Sequence, residues 1–306
     1  MRKSGNLTGI VLFAGAVALF ASLDATAKWL MAAGLATLQV VFLRYLGHLV
    51  ATLAVTLPRT GLGVLRSINP RLQLLRSLCL LGSTGLNFVA LSQLPVTTVT
   101  AVMFASPVLV TLLAVPLLGE QVSVLQFVAI LLGFFGVVII VSPWETTFDP
   151  AIFFSLGSCV CTSCYFILTR MLAREATATQ QVWTSGIAVL CLAPLALMTW
   201  QAPKDGLTVL MMCMIGLFGV ASHSLVTLAH RIADASVLAP VVYLQLLFSG
   251  ILGWLVFDQL PGASTLTGAL VVIAGGALLW LSGRRKRIAA IRTSAVSISE
   301  EKSQPK

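Results

Sequence analysis

The chain has 306 residues, of which 58% are hydrophobic and only 9% are charged. Because soluble domains carry about 25% charged residues, this composition excludes a water-soluble enzyme, a nucleic-acid-binding protein and a disordered scaffold. The excess of 19 Lys and Arg over 10 Asp and Glu therefore bears on orientation in a membrane rather than on nucleic acid.

In chain order, breaks at polar clusters, Pro and Gly predict ten transmembrane helices, since one span needs about 20 mostly apolar residues. The first five are predicted at Leu7–Ala33, Thr37–Leu57, Arg71–Leu91, Val96–Leu118 and Ser123–Ser142. The second five are predicted at Ile152–Leu172, Thr179–Trp200, Thr208–Ala229, Val237–Phe257 and Thr265–Ser282. The predicted fold class is an all-α polytopic membrane protein, followed by a polar, disordered tail at residues 284–306.

The distribution of basic residues predicts that both chain ends lie in the cytoplasm. With that orientation, sixteen Lys and Arg, Arg76 among them, fall in inner loops and ends, whereas Lys204 alone falls outside. Lys28 and Arg44 lie within predicted spans. Cytoplasmic loops of membrane proteins carry the excess of Lys and Arg, so this asymmetry predicts a multi-pass protein with this orientation.

An internal repeat relates the two groups of five helices. The segment 36–40 (Ala-Thr-Leu-Gln-Val) matches 178–182 (Ala-Thr-Gln-Gln-Val) at four of five positions. Two copies of a unit with an odd number of spans must have opposite orientations across the bilayer. We therefore predict a first repeat at residues 7–142 and an inverted second repeat at 151–283, an arrangement typical of transporters with a substrate site near the midplane.

Asp24 is the single carboxylate deep within a predicted span, where a charge is costly and therefore informative. It lies ten residues before the predicted turn at Gly34, and Arg44 lies ten residues after it. Equal spacing places both at about 15 Å from the turn, so the sequence predicts an Asp24–Arg44 pair. Lys28 is predicted either to share the carboxylate or to extend outward. Two roles remain open for the pair: a structural lock, or a relay for protons or substrate charge.

Uncharged polar side chains cluster in the third, sixth, eighth and ninth predicted spans. Hydroxyls, amides and aromatic edges there suit a small zwitterionic or amphiphilic solute. The alternative for each Ser or Thr is a contact between helices, and for His223 a structural hydrogen bond. The predicted substrate-binding residues are Ser83, Asn87, Thr162, Tyr165, His223, Tyr243 and Gln245.

Proline and glycine predict where helices bend and where they pack closely. Pro107 and Pro116 in the fourth span and Pro240 in the ninth interrupt helical hydrogen bonds. Such interruptions occur where a helix lines a cavity or bends. Four Gly-x-x-Gly pairs predict tight helix contacts, at 82/85, 133/136, 216/219 and 250/253.

The sequence contains no Gly-x-x-x-x-Gly-Lys-Ser/Thr phosphate loop, which excludes ATP-driven transport within this chain. A polytopic enzyme would need clustered carboxylates with a metal, or a nucleophile with a partner base, and Asp24 stands alone at depth. Cys159, Cys161 and Cys164 do not share one helical face, so no metal is predicted. No cofactor and no nucleic-acid partner are predicted, and the protein is expected to be a monomer among membrane lipids.

These motifs resemble the drug/metabolite transporter superfamily in its EamA-type ten-helix branch, over residues 7–283. The resemblance rests on Pro107 followed by Leu118-Gly119-Glu120, and on Gly133 and Gly136 in the next span. In the second copy it rests on Tyr243 and Gln245, on Phe257 through Pro261, and on Gly275-Gly276, although Asp258 replaces the usual Glu and Gln245 aligns with Pro107.

The resemblance implies a secondary transporter of the inner membrane that exports amino acids or related metabolites, as the exporters called YddG do. It also implies a central cavity lined by the first, third, fourth, sixth, eighth and ninth spans. Carriers of riboflavin, of nucleotide-type metabolites or of drugs are the alternatives within the superfamily. Both proton-coupled transport through Asp24 or His223 and facilitated transport are compatible with these residues.

Overall fold

The computed structural model describes residues 2–118, 124–142, 148–172, 174–233, 238–278 and 280–281. The first half contains α1 (Arg2–Ala32), α2 (Thr37–Thr60), α3 (Pro70–Gln93), α4 (Val96–Met103), α5 (Ser106–Leu118) and α6 (Val124–Val141). The second half contains α7 (Ile152–Met171), α8 (Thr177–Met198), α9 (Gly206–Ile232), α10 (Leu244–Phe257) and α11 (Ala263–Leu278). The described residues include no β-strand.

The predicted all-α membrane fold is confirmed. In the described part of the chain, eight helical segments are long and apolar enough to cross a membrane, with α4 and α5 together forming one of them. Two shorter apolar helices, Val241–Phe257 and Ala263–Leu278, bring the total to the predicted ten. The predicted tail from Gly283, the motif residues Gly119 and Glu120, and the side chains of Arg231 and Pro240 lie outside the described residues.

The second helix extends beyond its predicted end. It runs through Pro58 to Thr60 and continues as a 3-10 helix at Gly61–Leu65, so the connection to α3 is shorter than predicted. Proline removes one backbone donor. Because only two residues of α2 follow Pro58, the lost hydrogen bond falls in the last turn, where the helix tolerates it.

The span that contains Pro107 is interrupted, and the span that contains Pro240 changes its helix type. The fourth span breaks into α4 and α5 at Phe104 and Ala105, and Pro107 lies in the first turn of α5, where the missing N–H costs little. Pro116 lies inside α5 without ending it. The ninth span opens with a 3-10 helix at Ala239–Tyr243 before α10 begins.

Helices α3 and α9, which correspond in the predicted repeat, begin with the same kind of cap. The Asn69 side chain accepts a hydrogen bond from the Leu72 amide at 3.3 Å, and the Asp205 side chain accepts one from the Thr208 amide at 2.7 Å. Such caps satisfy donors that the first helical turn leaves free. The Thr208 amide also holds the pKa of the Asp205 carboxyl below its usual value.

Helix packing follows a reciprocal pattern between the two halves. Helix α1 packs along α9, and α3 packs along α7, while α2 contacts both α8 and α9, and α8 also contacts α3. If α1, α2 and α3 correspond to α7, α8 and α9, these contacts form equivalent pairs. The halves therefore interlock instead of lying side by side as separate bundles.

Two glycine contacts bring helices to backbone distance. A Cβ atom on Gly47 of α2 would lie 2.7 Å from the Cα of Gly216 of α9. A Cβ atom on Gly136 of α6 would lie 2.9 Å from the carbonyl oxygen of Gly268 in α11. Small residues allow such approach between membrane helices, and the tight contacts predicted at 133/136 and at Gly216 are present. Gly85, by contrast, has no neighbouring atom within 4 Å.

Candidate functional site

A polar cluster at membrane depth joins the first three helices. The Asn87 amide of α3 donates to Asp24 Oδ1 of α1 at 3.4 Å, and Arg44 Nη1 of α2 donates to Thr84 Oγ1 at 2.6 Å. Because Thr84 and Asn87 are three residues apart on α3, they lie on neighbouring parts of one helical face. Helix α3 therefore supplies the partners of both charged residues.

Asp24 and Arg44 are not in direct contact in the described part of the chain, where each is hydrogen-bonded to a different side chain of α3. The Arg44 charge still acts on the Asp24 carboxylate at longer range. An electrostatic pair at one depth therefore stays a prediction, and the spacing argument did not anticipate that α3 supplies the hydrogen-bond partners.

Besides its hydrogen bond to Thr84, Arg44 lies near two aromatic rings. Its guanidinium lies 5.4 Å from the ring centroid of Tyr45 and 5.7 Å from that of Phe88. The Tyr45 hydroxyl lies 2.8 Å from Thr84 Oγ1 and donates to the Leu80 carbonyl at 3.1 Å. A guanidinium has five donors and a carboxylate accepts several bonds, so Arg44 and Asp24 keep hydrogen-bonding capacity that the described residues do not use.

Lys28 does not share the Asp24 carboxylate. Its ammonium donates to the Leu94 carbonyl in the turn between α3 and α4 and lies 5.4 Å from the ring centroid of Phe257. The side chain is 7% exposed. Lys28 therefore extends toward the end of the span, which is the second of its two predicted positions. The Leu94 carbonyl, and not water, accepts the hydrogen bond from its ammonium.

Arg76 was counted among the inner loop charges, and that assignment is wrong. It lies in α3, is 2% exposed, and donates to Thr169 Oγ1 at 2.7 Å, Thr184 Oγ1 at 2.8 Å and the Tyr165 hydroxyl at 2.8 Å. The guanidinium also lies 4.5 Å from the Tyr165 ring centroid. Tyr165, predicted to bind substrate, is therefore a partner of Arg76 that helps to join α3 to α7.

The other predicted residues fall at separate places. Ser83 contacts Ser158 at 3.1 Å and also Thr162, which is a contact between α3 and α7. Tyr243 packs edge-on against Phe104 with 5.2 Å between ring centroids, and Gln245 is half-buried in the first turn of α10. The predicted substrate residues thus do not form one cluster, because several of them fasten helices together.

His223 lies in a layer of rings between α1, α2 and α9. Its ring centroid is 5.1 Å from that of Phe20 and 5.4 Å from that of His48, and Gln181 of α8 lines the same cavity as His48. His48 and Gln181 were not among the predicted site residues. For His48 the sequence did contain an indication, since this residue lies one turn from Arg44 and shares its helical face.

A cavity of about 350 Å³ borders this ring layer. It lies between α2, α8 and α9 and is lined in part by His48, Thr52, Gln181, His223 and Ser224. A second cavity of about 270 Å³ lies among the connections near Leu94, Asp149 and Thr265 and contains none of the predicted substrate residues.

The family model of EamA-like transporters matches residues 7–142 and again residues 149–281. The chain belongs to the EamA-like transporter family. An EamA-like transporter is a polytopic membrane protein, in agreement with the apolar helices described above.

Named relatives of this EamA-like transporter are carriers of small solutes. It is 28% identical to an S-adenosylmethionine uptake transporter of Rickettsia felis, over 87% of this chain and 90% of that protein. It is 27% identical to a riboflavin transporter of Brucella anthropi, over 86% and 94% of the two chains. The fold resembles that of a protein crystal structure with a TM-score of 0.62 and 20% identity, over 93% of this chain and 99% of that one.

The two halves of this EamA-like transporter are joined by polar contacts at both ends of the bundle. At one end, Glu175 before α8 is 8% exposed and accepts hydrogen bonds from Ser67 Oγ and the Ile68 amide, each at 3.0 Å. At the other, the Gln39 side chain of α2 exchanges two hydrogen bonds of 2.9 Å with the backbone of Gln201. We call these the strap contacts. Glu175 and Gln39 were not predicted to make these contacts, because carboxylates and amides near helix ends usually face water.

Proposed function

We propose that this protein is a secondary carrier of a bacterial inner membrane for amino acids or metabolites derived from them. The observation that carries the proposal is that Asp24 and Arg44 lie at one level but are hydrogen-bonded to different residues of α3, not to each other. Charges at membrane depth are costly and mark sites of function. Both groups keep hydrogen-bonding capacity, which a solute with an ammonium and a carboxylate could use.

The chemistry of an α-amino acid fits this arrangement. Its ammonium would contact the Asp24 carboxylate, and its carboxylate would contact the free donors of Arg44, which favour carboxylate geometry. Asn87 and Thr84 would hold the protein side chains in place during the exchange of partners. The Rickettsia relative supports this class, because S-adenosylmethionine contains an intact α-amino acid group.

A riboflavin-type carrier is the second candidate. It is favoured by the Brucella relative and by the uncharged polar lining of the 350 Å³ cavity. Riboflavin has no ammonium or carboxylate, so it would leave Asp24 and Arg44 without a role. A transport assay in liposomes with labelled methionine, S-adenosylmethionine and riboflavin distinguishes the two candidates.

The direction of transport follows from the driving force. A carrier without a phosphate loop moves its solute down the available gradients, so export and uptake are two directions of one alternating-access cycle. Export was implied by the sequence resemblance, whereas the Rickettsia relative is named for uptake. We propose a reversible carrier, and counterflow of labelled solute in liposomes tests that property directly.

We further propose that residues 7–142 and 151–283 are inverted repeats that operate as two halves of the carrier. Support comes from the two successive family matches, from the equivalent caps of α3 and α9, and from the reciprocal packing of α1 on α9 and α3 on α7. Inverted repeats of this kind place a shared site at their interface and expose it alternately.

Cysteine labelling tests the proposed orientation. In a background without the six native cysteines, a single Cys at Arg66 is expected to react only when the reagent reaches the cytoplasm. A single Cys at Lys204 is expected to react from outside intact cells, because an odd number of spans separates the two positions. Reaction of both positions from the same face would contradict the inverted arrangement.

Neutralising Asp24 is expected to remove most transport while leaving the protein in the membrane. A hydrogen bond to a charged group contributes about 1.5–3 kcal/mol, so Asp24→Asn should lower the transport of labelled methionine by about tenfold or more. The matched control is Asp258→Asn, which changes the same group in the connection between α10 and α11, where an Asn fits the left-handed backbone. Equal transport by Asp24→Asn and wild type would remove the support for an amino-acid solute.

A further inference from the structure

The cavity between α2, α8 and α9 is bordered by the half-buried imidazole of His223. This ring of α9 contacts the rings of Phe20 and His48 and makes no hydrogen bond to a residue that the structure describes. A polar ring within a membrane span favours a hydrogen-bond partner. The ring borders a cavity of about 350 Å³, which lies within the range of small-molecule sites, about 300–1,000 Å³.

The lining of this cavity is polar but uncharged. It contains imidazole, amide and hydroxyl groups beside apolar patches, and no Asp, Glu, Lys or Arg among its described residues. The polar members are His48, Thr52, Thr56, Thr177, Gln181, His223, Ser224 and Thr227. Such a surface can donate and accept hydrogen bonds without a charge partner. It therefore suits a neutral ring with polar edges better than an ion.

The cavity is adjacent to the charged cluster. His48 is one turn from Arg44 on α2, and Phe20, which contacts the His223 ring, is one turn from Asp24 on α1. Four residues of helix span about 6 Å. The ring layer and the charged cluster are thus consecutive levels along α1 and α2, separated by about the length of a short aliphatic linker.

We propose that this cavity binds a planar nitrogen heterocycle, the uncharged part of a solute whose amino-acid part occupies the Asp24–Arg44 level. The imidazole of His223 and the Gln181 amide would bond the polar edge of the heterocycle, and Val220 and Ala51 would contact its faces. This inference rests on the proposed function, because it assigns the second half of the same solute. It also accounts for a polar, uncharged cavity beside two charged side chains that are not hydrogen-bonded to each other.

The heterocycle site and the amino-acid site can be tested separately with two labelled compounds, each of which contains one part of the proposed solute. Labelled adenosine has the heterocycle without the amino acid, and labelled methionine has the amino acid without the heterocycle. Equilibrium dialysis against the purified protein measures the affinity for each. His223→Phe keeps a ring but removes its hydrogen bonds, so it should weaken adenosine binding by about tenfold and change methionine binding by less than about twofold. Asp24→Asn should do the reverse.

A matched control is Leu217→Phe, which places the same residue on α9 at a position that is 57% exposed. It is expected to change neither affinity. Gln181→Leu is the second variant for the cavity and should reproduce the loss of adenosine binding with methionine binding retained. Thermal unfolding of each variant shows that the fold is intact.

The outcomes separate this inference from the proposed function. Methionine binding without adenosine binding in the wild type would overturn the heterocycle site and leave the amino-acid carrier standing. Loss of both affinities in a folded His223→Phe protein would overturn the assignment of two levels. Adenosine binding without methionine binding would instead refute the proposed amino-acid level while supporting the cavity.

Discussion

Replacing Arg76 by Met is expected to lower the free energy of unfolding by about 3–5 kcal/mol. The arginine side chain is buried and donates hydrogen bonds to Thr169, Thr184 and Tyr165, so its removal breaks the polar contacts that join α3 to α7 and α8. The cation–ring contact with Tyr165 is lost as well. Thermal unfolding of the purified protein in detergent, followed by tryptophan fluorescence, measures the decrease.

The control for this change is Arg71→Met in the first turn of the same helix. Arg71 is exposed, so its replacement should leave the unfolding temperature within about 1 °C of the wild type. Arg76→Lys should recover only part of the stability, since one ammonium cannot reach partners on both α7 and α8 with the geometry of a guanidinium. Equal unfolding temperatures for the two Met variants would show that the Arg76 network contributes nothing.

Adding side chains at the crossing of α2 and α9 should have the second large effect. A Cβ on Gly216 would lie 2.8 Å from the Cα of Gly47, and backbone atoms cannot move aside as a flexible side chain can. The helices must separate along their length, so we expect Gly216→Leu to cost about 3 kcal/mol or more. Transport should fall with it, because His223 lies two turns further along α9 and would shift away from His48. Unfolding temperature and counterflow measure the two effects.

Adding a side chain at Gly186 is expected to stabilise the protein, in contrast to the same change at Gly216. Gly186 lies inside α8, and a Cβ there would have no neighbour within 4 Å. Gly186→Ala should stabilise the helix by about 0.5–1 kcal/mol, whereas Gly216→Ala should destabilise the protein. A stabilising effect at both positions would mean that α2 and α9 are not in backbone contact.

The sequence predicts the helices well because the apolar length of a span is a local property. Span boundaries are less predictable where proline is involved. The sequence predicts that the second helix ends at Leu57, before Pro58, yet α2 continues to Thr60, whereas Pro107 does follow a break between α4 and α5. Pro58 removes a hydrogen bond only in the last turn of its helix, where the loss is tolerated. Whether a helix continues past a proline depends on how the neighbouring helices pack, which the local sequence does not contain.

The site residues show the same limit. Equal spacing from Gly34 placed Asp24 and Arg44 at one depth, but the partner of each comes from α3, whose rotation relative to α1 and α2 is a property of the packed bundle. Arg76 was misassigned because counting basic residues treats every charge near a helix end as solvated. An arginine six residues into α3 is far enough inside to be buried when two neighbouring helices, α7 and α8, supply oxygens.

The strap contacts fix one edge of the molecule. Glu175 attaches the second half to the α2–α3 connection at one face, and Gln39 attaches the first half to the α8–α9 connection at the other. Because these contacts join the two halves at both ends of this side of the bundle, we expect the side to stay closed during transport. The helices should instead separate near the fourth span, which is already broken between α4 and α5.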